Sequence, residues 1–159
     1  MALPPPSLKA RALRFLSARE HSRLELERKL APFEEQPGSL AAALDELQGK
    51  GFISEERVLA SVVYQRAPKL GAMRLRQELM RKGLEPEAVA HAMNALKSSE
   101  VARAQAVWVK KFGQAASTPA DRARQIRFLA GRGFSGETIH RVLGGGASDA
   151  GEDTQDWDD

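Results

Sequence analysis

A nine-residue pattern occurs three times in the chain and limits its fold more than any other feature. It runs Leu, two residues, Lys or Arg, Gly, Phe or Leu, two residues, Glu. The copies are Leu47, Lys50, Gly51, Phe52 and Glu55; then Leu79, Lys82, Gly83, Leu84 and Glu87; then Leu129, Arg132, Gly133, Phe134 and Glu137. Each part has a role at a helix–helix corner. The Leu belongs to the ending helix, and the cation faces the negative helix terminus. The glycine takes the left-handed cap conformation that other residues resist. The apolar residue folds back on the core, and the Glu falls in the first turn of the next helix. Gly51, Phe52, Gly83, Leu84, Gly133 and Phe134 are therefore read as structural corners. A chain turned this way three times is built from short helices.

The segments between corners have helical period. Leu8, Ala12, Phe15 and Leu16 share one face of a first helix that ends near Arg19. Ser22 and Glu25 have capping-box spacing and open a second helix, with Leu26 and Leu30, that stops near Pro32. Ser39 is expected to cap a third, with Leu40, Ala43, Leu44 and Leu47 at i, i+3, i+4 and i+7. A fourth helix offers Val58, Leu59, Val62 and Val63, a fifth Leu75 and Leu79, and a sixth Val89, Ala92, Met93 and Leu96 behind Pro86. The seventh turns Val101, Ala104, Trp108 and Phe112 inward. The eighth, started by Thr118, Pro119 and Asp121, presents Ala123, Ile126, Leu129 and Ala130. A short ninth carries Ile139, Val142 and Leu143.

The pattern predicts an all-α fold of about nine helices in three tandem three-helix repeats, stacked as an elongated, curved body. Its expected divisions are a disordered lead (1–7), repeats at 8–53, 54–98 and 99–143, and a disordered acidic tail (144–159). The second and third copies of the corner lie 50 residues apart inside their repeats, whereas the first joins repeat one to repeat two.

Composition narrows function. With no cysteine among 159 residues, disulfides, thiolate metal sites and cysteine nucleophiles are excluded. His21, His91 and His140 lack paired spacing, so no metal is expected, and no nucleophile–base or phosphate-loop motif occurs. The expectation is a non-enzymatic, cofactor-free protein, cytoplasmic, monomeric and without a membrane segment. Charge is graded along the chain: −1 over 1–56, +4 over 57–100, +6 over 101–148 and −6 over 149–159. A basic body points to a polyanionic partner or a strongly acidic protein surface.

The candidate contact face comprises Arg66, Lys69, Arg74, Arg76, Arg81 and Lys82, opposite the apolar stripes of helices four and five. It is joined by Lys110, Lys111, Arg122, Arg124, Arg127, Arg132 and Arg141, the densest basic group. Lys82 is already accounted for by its corner. Trp108 lies on an apolar stripe and Tyr64 neighbours one, so both are assigned to the core; Met73, Met80 and Met93 are assigned to packing. The tail acids Asp149, Glu152, Asp153, Asp156, Asp158 and Asp159 flank Trp157 and are read first as a solubilising tail, with a DNA mimic that folds back on the basic third repeat as the alternative.

At these residues the chain resembles the RecX family, modulators of the bacterial RecA recombinase. The likeness is densest over 53–84 and continues through Trp108 to Phe112 and Arg127 to Ile139, with a weaker match at Ala12 to Leu16 and Arg23 to Leu30. The resemblance implies tandem three-helix repeats and a cytoplasmic protein bound along the RecA–DNA filament. It also implies inhibition of filament growth, ATP hydrolysis, strand exchange and the co-protease activity that triggers the SOS response. From the residues alone two other readings stay open: a stand-alone helix-turn-helix DNA-binding module, and a helical adaptor for another acidic protein.

Overall fold

The structure, a computed structural model, describes residues 2–144. Nine α-helices occur among these residues: α1 (Leu8–Ala18), α2 (Arg23–Leu30), α3 (Ser39–Gly49), α4 (Glu55–Arg66), α5 (Ala72–Arg81), α6 (Pro86–Leu96), α7 (Glu100–Lys111), α8 (Pro119–Gly131) and α9 (Gly136–Val142). Single 3-10 turns follow α2 and α6. The fold is all-α and organised in three-helix repeats, as the periodicity predicts. No helix exceeds 13 residues, so none would be stable alone in water and tertiary packing must hold them. The predicted acidic tail lies outside the described residues.

The chain forms two compact units. Unit one holds the described residues up to Gln65 together with Arg76–Ala92; unit two holds Arg66–Leu75 and the described residues from Met93. In unit one, α1, α2 and α3 enclose Ala12, Leu26, Leu30, Leu40, Leu44, Leu47 and Ile53, flanked by Leu8, Leu13, Phe15 and Leu16. Each fully buried leucine contributes about 1.5–3 kcal/mol relative to an exposed one. The Ser22 box forms as expected: its hydroxyl accepts from the Glu25 amide (3.2 Å) and Glu25 Oε1 accepts from the Ser22 amide (3.1 Å). Glu25 also receives Arg19 (2.7 Å) and Lys82 (2.9 Å). Burial alone would raise its carboxyl pKa, but the bonds from Arg19, Lys82 and the Ser22 amide outweigh that and hold it down at about 2.

Unit two has its own core: Ala104, Leu129, Phe134, Ile139 and Val142, with Val101, Val107, Trp108, Phe128 and Leu143 against them. Trp108 thus packs as expected, and its indole N–H donates to Gln125 Oε1 (3.0 Å). The α4–α5 joint is anchored by the start of α7. Arg103 donates to the carbonyls of Ala67 (2.8 Å) and Leu70 (2.7 Å), which end-of-helix geometry would leave unsatisfied. Glu100 accepts from the Ala72 amide (3.3 Å) at the start of α5 and from the Thr138 hydroxyl (3.1 Å). Backbone then meets backbone: the Gly71 amide donates to Arg132 O (2.8 Å) and the Met73 amide to Gly133 O (3.2 Å). A Cβ on Gly71 would overlap Gly133 and Phe134 main-chain atoms, so only glycine permits the approach.

Several expectations fail, those for the exposed tyrosine and methionines on angular position. Tyr64 is six residues beyond buried Val58, about 120° round the helix from it at 100° per residue, and is 84% exposed. Met73 lies two residues before buried Leu75 and Met80 one after buried Leu79, so both are exposed; Met93, four after buried Val89, is the methionine that packs. On α8, Ile126 and Ala130 face outward and Gln125 is buried instead, because it meets both Trp108 and the Gln114 carbonyl (3.1 Å). Gly38, at φ 86°, caps α3; Ser39 sits in its first turn and donates to Gln36 O (2.7 Å).

Candidate functional site

Charge divides between the units more sharply than along the sequence. Unit one carries 12 Lys and Arg against 12 Asp and Glu, and is neutral. The described part of unit two carries 12 against three (Glu100, Asp121 and Glu137), a net +9. Side-chain pairing follows the same division. In unit one Lys9 and Lys50 share Glu46, Arg23 binds Asp45 and Glu27, Arg57 binds Glu20, and Arg19 and Lys82 share Glu25. In unit two Glu100 is consumed by the α5 start, leaving Asp121 and Glu137 to pair with Arg124 (3.9 Å) and Arg141 (3.0 Å). Arg66 is engaged as well.

Within unit two, α7 and α8 and the α4–α5 joint enclose an open groove. Its apolar lining is Pro68, Ala106, Val107 and Phe128, and its cations are Lys69, Lys110, Lys111 and Arg132. The periodicity explains the two faces of α7. Ala104, Val107 and Trp108 turn inward at i, i+3 and i+4, so Lys110 and Lys111 follow at the outer side of the last turn. Phe128 is held edge-on by Phe112 (centroids 5.4 Å apart, 87°). Lys111 and Arg132 stand over its ring at 5.4 and 5.1 Å, within cation–π range. The groove thus offers positive charge around an aromatic and aliphatic floor, a surface suited to an anionic partner that also carries apolar groups.

The thirteen candidate cations do not form one set. Lys69, Lys110, Lys111 and Arg132 meet at the groove. Arg127 is exposed on α8 without a partner among the described residues, and Arg122 donates to Leu143 O (3.4 Å). Arg74 belongs to unit two but donates to Gly131 O (3.0 Å), a structural duty. Arg76, Arg81 and Lys82 belong to unit one; Lys82 is held by Glu25, while the guanidinium groups of Arg76 and Arg81 are exposed. At the corners, Gly51, Gly83 and Gly133 have φ of 83°, 74° and 90°. Phe134 and Leu84 are buried, but Phe52 is half-exposed and its neighbour Ile53 enters the core. The residues that sequence reasoning missed are Arg103, Glu100, Gln125 and Phe128. The Ser99–Arg103 spacing of four was the one available hint for Arg103, whose Nε donates to the Ser99 hydroxyl (3.1 Å).

Family models for the first, second and third three-helix domains of RecX match residues 9–47, 54–93 and 98–143. The chain belongs to the RecX family. It is 49% identical over 140 residues to the regulatory protein RecX of Leptothrix cholodnii, spanning 88% of this chain and 89% of that one. It is 48% identical over 147 residues to the regulatory protein RecX of Ralstonia nicotianae, spanning 91% and 92%. A crystal structure of a regulatory protein RecX superposes with a TM-score of 0.72 at 20% identity, covering 85% of this chain and 70% of the other. RecX from Lactobacillus salivarius gives 0.69 at 17%, covering 86% and 92%. These structural likenesses concern the RecX fold. Among the described residues no group of three His, Asp or Glu could hold a metal ion, and no helix is long and apolar enough to cross a membrane.

Proposed function

We propose that this RecX-family chain binds RecA nucleoprotein filaments through the basic surface of unit two and inhibits the ATPase, strand-exchange and co-protease activities they support. The observation that carries this reading is the +9 charge of unit two beside a neutral unit one. Cations without carboxylate partners keep their charge available for phosphates or acidic side chains, and such contacts give salt-sensitive affinity. Lys69, Lys110, Lys111 and Arg132 are the first contacts, with Arg127 beside them on α8. The action is steric and electrostatic: the bound helices occupy space needed by an incoming RecA monomer or by a substrate. It needs no cofactor, and the chain acts as a monomer in the cytoplasm.

The test is ATP hydrolysis by RecA on single-stranded DNA. Substoichiometric amounts of this chain are expected to slow it, and Lys110→Glu/Lys111→Glu to relieve the inhibition. No effect at equimolar protein would overturn the proposal. Tight, sequence-specific binding to duplex DNA without RecA would favour the helix-turn-helix reading instead.

A further inference from the structure

The groove of unit two combines two features that rarely serve one simple anion. Phosphate alone would need only cations, yet Pro68, Ala106, Val107 and Phe128 form much of the lining between Lys69, Lys110, Lys111 and Arg132. Neither Lys69 nor Lys110 has a side-chain partner in the described residues. The complementary occupant is an acidic segment bearing an aromatic ring, and the same chain encodes one. Residues 145–159 contain six acids and no base, with Trp157 between Asp156 and Asp158.

We infer that the Asp156–Asp159 segment docks in this groove, its indole against Val107 and Phe128 and its carboxylates on Lys69, Lys110, Lys111 and Arg132. Reach permits it. The Leu143 carbonyl accepts from Arg122 (3.4 Å), so the chain leaves α9 beside the first turn of α8. Phe128 and Arg132 lie six and ten residues further along α8, about 9 and 15 Å at the helical rise. Twelve residues lie between Gly144 and Trp157, and a random-coil linker of that length spans roughly 20 Å on average. Tethering at that distance gives an effective concentration near the millimolar range, so even a weak contact is substantially occupied. Indole–cation contacts with Lys69 and Lys110 would add to charge pairing. Unit one, whose cations are matched one for one by acids, offers no comparable attraction.

Docking makes the segment a competitor for any polyanion that uses the groove. On the reading proposed above, that competition restrains binding to the RecA filament.

The deciding experiment compares backbone amide NMR spectra of the full chain with those of full-length Trp157→Ala and Asp156→Asn/Asp158→Asn/Asp159→Asn variants. Amide shifts at Lys69, Val107, Lys110, Phe128 and Arg132 are expected to change in both variants, and the differences to disappear in a Lys110→Glu background. They should persist on dilution. Shift changes confined to residues next to the substitutions, or spread evenly over every cation, would overturn the proposal. Changes that vanish on dilution would place the segment on a second copy of the chain and overturn it equally. A fluorescent oligo(dT) titration at low salt adds a functional readout: Trp157→Ala should bind roughly two- to tenfold more tightly, and unchanged affinity would contradict the competition. Neither measurement contains RecA, so failure here and failure of the filament-binding proposal are separable.

Discussion

Changing Gly71 to alanine tests the geometry of unit two with a single methyl group. Gly71 is buried and its φ is not in the left-handed region, so alanine is conformationally acceptable there. The new Cβ, however, would overlap the Gly133 carbonyl and the Phe134 amide, main-chain atoms that cannot rotate away. Separation would break the Gly71–Arg132 (2.8 Å) and Met73–Gly133 (3.2 Å) backbone bonds, at about 1 kcal/mol each, with about 1–3 kcal/mol of overpacking. The smaller entropy of unfolded alanine returns about 0.5–1 kcal/mol. Net destabilisation is therefore about 2–4 kcal/mol. Gly131→Ala is the matched control. It lies at the end of α8 with nothing within 4 Å of an added Cβ, and should stabilise by about 0.5–1 kcal/mol. Urea unfolding followed by far-ultraviolet circular dichroism measures both. If Gly71→Ala stays within about 0.5 kcal/mol of the parent chain, or shifts in the same direction as Gly131→Ala, the backbone contact is refuted.

Glu25→Gln should destabilise the chain by up to about 3 kcal/mol at neutral pH, since the folded carboxyl titrates at about 2 instead of 4.5. A depressed carboxyl stabilises the fold above pH 4.5, so the gap between parent and variant should close as pH falls from 4.5 towards 2 in chemical unfolding. Arg103→Met leaves the Ala67 and Leu70 carbonyls without their donor and should cost about 2–4 kcal/mol in the same assay; a neutral result would dismiss the anchoring role. Buried His21 is packed against Phe15; its Nδ1–H donates to Arg19 O (3.0 Å) and its Nε2 accepts from Lys29 Nζ (3.1 Å). Burial, assisted by Arg19 and Lys29, lowers its pKa below 6.5. The unfolded chain then binds the extra proton first, so stability should fall as pH drops below 6.5, and His21→Leu should flatten that slope.

Helix number and order were legible in the sequence because period and glycine corners report the same structure twice. Ser22 with Glu25, and Thr118 with Pro119, mark helix starts through local bonds that need no tertiary information. Burial on a helix face was less legible. Two residues that flank a buried one, such as Gln125 and Ile126 at about 40° and 60° to either side of Leu129, compete for the interior, and hydrogen bonding decided for the polar one. Phe52 and Ile53 show the same ambiguity at a corner. The charged groups were hardest to assign. Sequence counts Arg74, Arg103 and Arg132 alike, whereas the fold gives the first two carbonyls to hold and leaves the third in the groove. The concentration of charge in unit two was hidden for a related reason: the units are not contiguous in the chain, and Arg66–Leu75 belongs with the residues after Met93.

The central claim, that the basic surface of unit two is what engages the RecA filament, is tested most directly by co-sedimentation with RecA on single-stranded DNA across a salt series. Lys110→Glu/Lys111→Glu should lose most binding, whereas Arg14→Glu/Arg76→Glu, an equal charge change on exposed residues of unit one, should leave it largely intact. If the contacts are to phosphates, loss of the two lysines should also reduce the slope of log affinity against log salt by about 1.4. Equal loss from both double variants, or unimpaired binding by Lys110→Glu/Lys111→Glu, would contradict the account.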